Sequence, residues 1–137
     1  MGVSIELTLL IWSTVVALVY VTTQSFLLKA QTGNYYTVTA RDEEKQPVGL
    51  AGRANRALRN FVETYPIFIA LVVVIELLNA QNGFSFWGAN IYFWARVLFL
   101  PAYLVGTPYL RTTIWQISAL GLVLMMQPLF AALYWNA

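Results

Sequence analysis

Four long apolar stretches constrain this chain more than any other feature: Ile5–Leu28, a run ending near Asn79, Phe86–Leu110 and Thr112–Trp135. The hydrocarbon core of a bilayer is about 30 Å thick and needs ~20 apolar residues in a helix. The first stretch has 24 residues, about 36 Å of helix. Pro66–Leu78 is too short alone. It reaches spanning length only if its helix begins earlier, inside "RANRALRNFVETYP", residues 53–66. Charged residues are 10% of the 137 and hydrophobic ones 59%, whereas about a quarter of a soluble domain is charged. Mean hydropathy is +0.63. Too few charges remain to coat a water-facing surface, so the chain reads as one all-α integral membrane domain over 1–137.

Spans are expected at about 5–28, 61–79 with the helix reaching back to about 53, 86–110 and 112–135. Residues 29–52, "KAQTGNYYTVTARDEEKQPVGLAG", read as a polar loop; "NAQNGFS" (79–85) and "GTPYLR" (106–111) read as short turns. Helices joined by short turns are antiparallel neighbours, which predicts a four-helix up-down bundle. The first span lacks the basic start and small-residue cleavage site of a signal peptide, so it is expected to remain a membrane helix.

Basic residues set the expected orientation. Lys29, Arg41, Lys45, Arg53, Arg56 and Arg59 lie between spans one and two, and Arg111 between three and four; Arg96 is inside a span. The ends of the chain and the 79–85 turn carry none. The positive-inside rule puts both basic loops in the cytoplasm and both termini outside. Trp87, Tyr92, Tyr134 and Trp135 are expected to form an outer aromatic belt.

The chain has no Cys and no His. Disulfides, thiolate nucleophiles, imidazole bases and the usual soft metal ligands are therefore excluded, and no metal site is expected. A net charge of +2 does not argue for nucleic acid. Any chemistry rests on Arg, Tyr, Ser/Thr, Asn and Glu, or on a bound cosubstrate.

Two polar stripes stand out. Arg56, Arg59, Asn60 and Glu63, at offsets 0, 3, 4 and 7, share one helix face; Tyr92, Arg96, Phe99 and Tyr103, at 0, 4, 7 and 11, share another. A charge inside a span is expensive and faces the bundle interior, a cavity or a partner. On a structural reading Arg96 and Glu63 form a buried pair that fixes helix register. One acid, however, does not neutralise Arg56, Arg59, Arg96 and Arg111, and the surplus positive charge points to an anion. Arg53 and Lys45 read as interfacial anchors, Pro66 and Pro128 as helix bends, and "SALG" (118–121) as a close-packing site. Glu76 is expected either to reach the outer surface or to meet a polar neighbour.

Four short spans, a polar first loop, R-x-x-R-x-x-x-N-x-x-E before an aromatic and Pro, then A-R-V-x-x-x-x-A-Y and a further Arg resemble the MAPEG family, the membrane-associated proteins in eicosanoid and glutathione metabolism. The resemblance covers nearly the whole chain and is sharpest at 53–66 and 95–112. It looks like a bacterial member, which implies an inner-membrane location. It also implies a homotrimer with glutathione in a crevice between subunits. Arg56, Asn60 and Glu63 then match glutathione-holding residues, and Arg59 matches a binding arginine of some members. Arg96 and Tyr103 match site residues of the third helix. Thr112 takes the place of a Ser in a prostaglandin-forming member, and Arg111 matches the arginine that stabilises the glutathione thiolate. Phe99 stands where relatives often have Tyr or His, and Trp115 where some have Tyr; each change removes a polar contact.

The residues agree with that role. Glutathione carries two carboxylates and one ammonium, which several arginines and one glutamate complement. A thiol of pKa about 8.5 is only a few per cent ionised at neutral pH, and a guanidinium favours the nucleophilic thiolate. Two readings follow. One is a glutathione transferase or peroxidase acting on lipophilic electrophiles or lipid hydroperoxides. The other is a non-catalytic lipid-binding or scaffold protein of the same fold. A third, a structural subunit of a larger membrane complex, leaves the two polar stripes unexplained.

Overall fold

A computed structural model describes residues 2–135. Five helices follow in order: α1 Ile5–Thr32, α2 Asn34–Val38, α3 Gly49–Leu77, α4 Gly83–Val105 and α5 Pro108–Trp135. There is no strand among the described residues. Four of these helices, α1, α3, α4 and α5, are long and apolar enough to cross a membrane. Long-range hydrogen bonds show that they alternate in direction. The start of α1 meets the end of α3 and the start of α4, through Ser4 to Glu76 and Ser85 to Glu6. The start of α3 meets the end of α4, through Arg53 Nη1 to the Leu104 carbonyl at 2.9 Å. The start of α4 meets the far end of α5, through Asn82 Nδ2 to Gln127 Oε1 at 3.0 Å.

Local chemistry sets the helix ends. Ser4 caps α1 by accepting from the Leu7 amide at 3.1 Å. Asn82 and Ser85 form a reciprocal capping box on α4, which satisfies donors that the first turn leaves open. Gly106, with φ 82° and ψ 22°, closes α4 in the left-handed conformation that glycine adopts without a Cβ penalty. Pro108 then opens α5 at a position where its missing N–H costs nothing. The turn between α4 and α5 is thus shorter than the expected 106–111. The 29–52 segment is not all loop: α2 lies within it, and α3 begins at its end, at Gly49.

The core has two halves. Phe68, Val72, Ile75, Ala89, Tyr92 and Met125 pack at the end nearer the α3–α4 turn. Tyr20, Ala57, Phe61, Phe99 and Leu100 pack towards the other end. Between α4 and α5 the backbones nearly touch at Gly88 and Gly121. A Cβ on Gly88 would meet the Gly121 carbonyl at 2.6 Å, and one on Gly121 would meet the Gly88 carbonyl at 2.7 Å. The small residues of "SALG" therefore serve close packing, as small residues do between membrane helices.

The outer ends differ in detail from expectation. Trp87, Tyr134 and Trp135 are exposed, as a belt requires. Tyr92 is not a belt residue: it is buried, stacked on Phe68 at 4.5 Å. Glu76 takes the second of its two alternatives, since it accepts from the Ser4 hydroxyl.

Candidate functional site

The site begins with Arg96, which is 1% exposed in the middle of α4. Its Nη1 donates to Asn60 Oδ1 and its Nη2 to Thr64 Oγ1, both at 2.8 Å. Its guanidinium lies 5.4 Å from the Tyr92 ring centroid and 5.2 Å from that of Phe99. Thr64 also meets the Tyr92 hydroxyl at 3.1 Å. From α1, Tyr20 donates to the Arg96 carbonyl at 2.6 Å. The Arg96 Nε is buried and has no hydrogen-bond partner among the described residues. A buried cation is thus held by an amide, a hydroxyl and two aromatic faces. The expected Arg96–Glu63 pair does not form. Glu63 is exposed on α3, turned away from the residues that touch Arg96.

Beside this group a cleft of about 260 Å³ is lined by Asn60, Phe99, Tyr103, Arg111, Thr112 and Trp115. Arg111 stands over the Tyr103 ring at 5.0 Å, a cation–π contact that orients the guanidinium without neutralising it. Tyr103 leans on Phe99 with centroids 5.4 Å apart. Thr112 donates to the Pro108 carbonyl at 3.2 Å, which leaves its oxygen lone pairs for a ligand. Helices α3, α4 and α5 each contribute, so the cleft exists only once the bundle has formed.

Four of the residues singled out from the sequence therefore come together here: Asn60, Tyr103, Arg111 and Thr112. Arg96 stands behind them, joined through Asn60. Arg56, Arg59 and Glu63 do not line the cleft; all three are exposed on another part of α3. The helix period explains the division. At about 100° per residue, Arg53, Asn60 and Thr64 (offsets 0, 7 and 11) fall within roughly 40° of one another, facing α4. Arg56, Arg59 and Glu63 are turned away from that line by about 60° or more.

Two polar residues, Thr64 and Glu6, escaped the sequence reading, and a third, Arg53, does more than was expected of it. Thr64 is a second holder of Arg96, and its i+4 spacing from Asn60 was the available signal. Arg53 is not merely an anchor, because it binds the last turn of α4. Glu6, 2% exposed, accepts from the Ser85 hydroxyl in the first turn of α4; a helix N-terminus favours an acid there. No group of His, Cys, Asp and Glu among the described residues could hold a metal ion.

Chemically the cleft offers one half-buried cation, two hydroxyl groups and an amide, walled on one side by Phe99 and Trp115. Such a set suits a small anionic ligand next to an apolar one. In comparison with known families, residues 9–131 match the MAPEG family. No curated protein and no solved structure matched the chain. The matched stretch takes in α3 and α4 whole, most of α1 and α5, the α3 polar stripe and the whole cleft, and the chain belongs to the MAPEG family.

Proposed function

We propose that this protein is a membrane-bound glutathione-dependent transferase or peroxidase acting on lipophilic electrophiles or lipid hydroperoxides. The observation that carries this reading is the convergence of Asn60, Tyr103, Arg111 and Thr112 on one cleft, with Arg111 oriented over Tyr103 at 5.0 Å. Glutathione is the cosubstrate. Arg111 faces its sulfur, and the guanidinium favours the thiolate, the form that attacks. In a transfer reaction the sulfur bonds to the electrophilic carbon, the leaving group departs with its electron pair, and the thiol proton goes to solvent. With a hydroperoxide, the first thiolate attacks the distal oxygen and releases the alcohol; a second glutathione then yields the disulfide and water.

The working unit is a homotrimer. At about 260 Å³ the cleft is below the usual range for a pocket that buries a whole ligand, roughly 300–1,000 Å³. Arg56, Arg59 and Glu63 are exposed on the protomer, next to an apolar helix that lies in lipid. A second copy against this face covers them and completes the anion site, with Arg56 and Arg59 on the carboxylates and Glu63 on the ammonium. The 29–52 segment faces the cytoplasm and the termini face outward, in a bacterial inner membrane. The lipophilic substrate enters sideways from the bilayer along Phe99 and Trp115.

Phe99 and Trp115 also favour a second reading, a lipid-binding protein of the same fold without chemistry. Adding glutathione to the purified, detergent-solubilised protein and following thiolate absorbance separates the two. A thiolate signal at neutral pH supports the enzyme. Binding without that signal, or no binding, supports the lipid-binding protein.

A further inference from the structure

We propose that Arg53 is a positioning residue for Arg111: it clamps the α4–α5 turn and so fixes where Arg111 enters the cleft. This rests on the reading of Arg111 as the group that acts on the thiolate. Arg53 lies in the second turn of α3, yet its side chain serves another helix. Its Nη1 donates at 2.9 Å to the carbonyl of Leu104, one of the last carbonyls of α4 and without a partner inside that helix. The C-terminal end of α4 carries partial negative charge, which a cation complements.

The same guanidinium lies flat on Gly106. A Cβ built there would stand 3.0 Å from Arg53 Cζ, 3.1 Å from Nη1 and 3.2 Å from Nη2. Three atoms of the plane at nearly equal range mean that the fork covers the glycine face-on, an arrangement open to guanidinium and not to an ammonium. Gly106 is thus required twice, by its φ of 82° and by this approach. Only Thr107 separates Gly106 from α5, and Arg111 follows within the first turn of that helix. The Arg111 amide holds the Thr107 carbonyl by a long bond of 3.4 Å, so α5 starts with little support of its own. Arg53, Asn60 and Thr64 form one line along α3. The line grips α4 at its last turn through Arg53 and at its middle through Asn60 and Thr64, and thereby sets the two walls between which Arg111 and Tyr103 stand.

The experiment uses the full-length protein in detergent, comparing wild type, Arg53→Gln, Arg53→Lys and Gly106→Ala. Hydrogen exchange at the amides of 106–112 reports the clamp without any ligand. Thiolate absorbance of bound glutathione against pH reports its consequence. Arg53→Gln should speed exchange in 106–112 about tenfold and leave the rest of α4 and α5 unchanged. It should lower the thiolate fraction at neutral pH about three- to tenfold, while glutathione affinity changes less than about twofold. Arg53→Lys should recover part of both. Gly106→Ala should loosen 106–112 at least as much, through its positive φ as well as this contact, and the double variant should fall short of the sum of the two, since they share that contact. Unchanged exchange at 106–112 in Arg53→Gln overturns the inference. So does faster exchange with an unaltered thiolate titration, provided Arg111→Ala does alter it; Arg53 is then a helix cap and nothing more. If Arg111→Ala itself leaves the titration unaltered, the role of Arg111 fails and the positioning claim fails with it. In that case faster exchange in Arg53→Gln still identifies which of the two residues was misread.

Discussion

Arg96 donates from Nη1 to Asn60 Oδ1 at 2.8 Å, so the arginine buried within α4 is held by a neutral amide on α3. Asn60 also lines the cleft, so the residue that accepts from the buried cation also borders the ligand space. Removing it leaves a guanidinium donor buried and unpaired. Asn60→Ala should therefore destabilise the protein by about 1.5–3 kcal/mol as well as weaken glutathione binding. Asn60→Asp should do the opposite on stability, because it places a carboxylate on Arg96, and should still weaken binding, because it repels an anion. Melting curves with and without glutathione check both signs. A stable Asn60→Ala would show that Arg96 finds another partner.

Glu63 should behave differently from a buried partner of Arg96. It is exposed, so Glu63→Ala and Arg56→Ala should leave each protomer folded. Their effect belongs to ligand and assembly. Loss of a charge-assisted contact costs ~1.5–3 kcal/mol, roughly 10- to 150-fold in glutathione affinity. Isothermal titration on the detergent-solubilised protein, with mass measurement of the particle, tests this. Wild-type affinity in both folded variants would make the exposed stripe a membrane-surface anchor and remove the case for a shared site.

Gly88 should be the least tolerant small residue in the bundle. A methyl group there meets the Gly121 carbonyl at 2.6 Å and Met125 Cγ at 2.7 Å. The first contact is to backbone and gives way only if α4 and α5 move apart. Gly88→Ala should cost about 1–3 kcal/mol, the range of an overpacked core, and should widen the cleft that α4 and α5 enclose. Ser85→Ala, one turn earlier, should instead remove the hydroxyl that meets Glu6. Thermal melting of the two variants side by side checks the claim, which fails if Gly88→Ala is neutral.

Membrane orientation is open to a direct check. Cysteines introduced at Gly2 and Gln46 should react with an impermeant reagent from opposite sides of the membrane, with Gln46 on the cytoplasmic side. Reaction of both from one side contradicts the placement of the 29–52 segment.

Run length made the four long helices legible, because nothing but a membrane helix suits so many consecutive apolar residues. Their ends were less so. The α4–α5 boundary is written as Gly106 followed by Pro108, a helix stop and a helix start, but the apolar pattern runs straight through it and suggested a later break. The five residues of α2 carry no periodic signal at all. At the site, helix period placed Asn60 with Arg56, Arg59 and Glu63 and Tyr103 with Arg96, surplus positive charge marked Arg111, and only the family resemblance pointed to Thr112. What period does not supply is the neighbouring helix. Asn60 is at the edge of that stripe, and only the position of α4 assigns it to Arg96 while leaving Glu63 outside. Arg53 looked like an anchor and Glu6 drew no reading for the same reason: their partners, Leu104 and Ser85, are 51 and 79 residues away.

In the proposed chemistry Arg111 acts on the glutathione sulfur. Thiolate absorbance against pH, measured for wild type and Arg111→Ala with glutathione bound to both, decides whether it does. A cation beside a thiol lowers its pKa by about one unit or more, so wild type should titrate well below the free-thiol value of about 8.5. Arg111→Ala should return towards that value and lose turnover with a generic electrophile, and Arg111→Lys should recover part of both. If wild type and Arg111→Ala bind glutathione and titrate at the same pH, Arg111 only marks the start of α5, and the proposed chemistry is wrong.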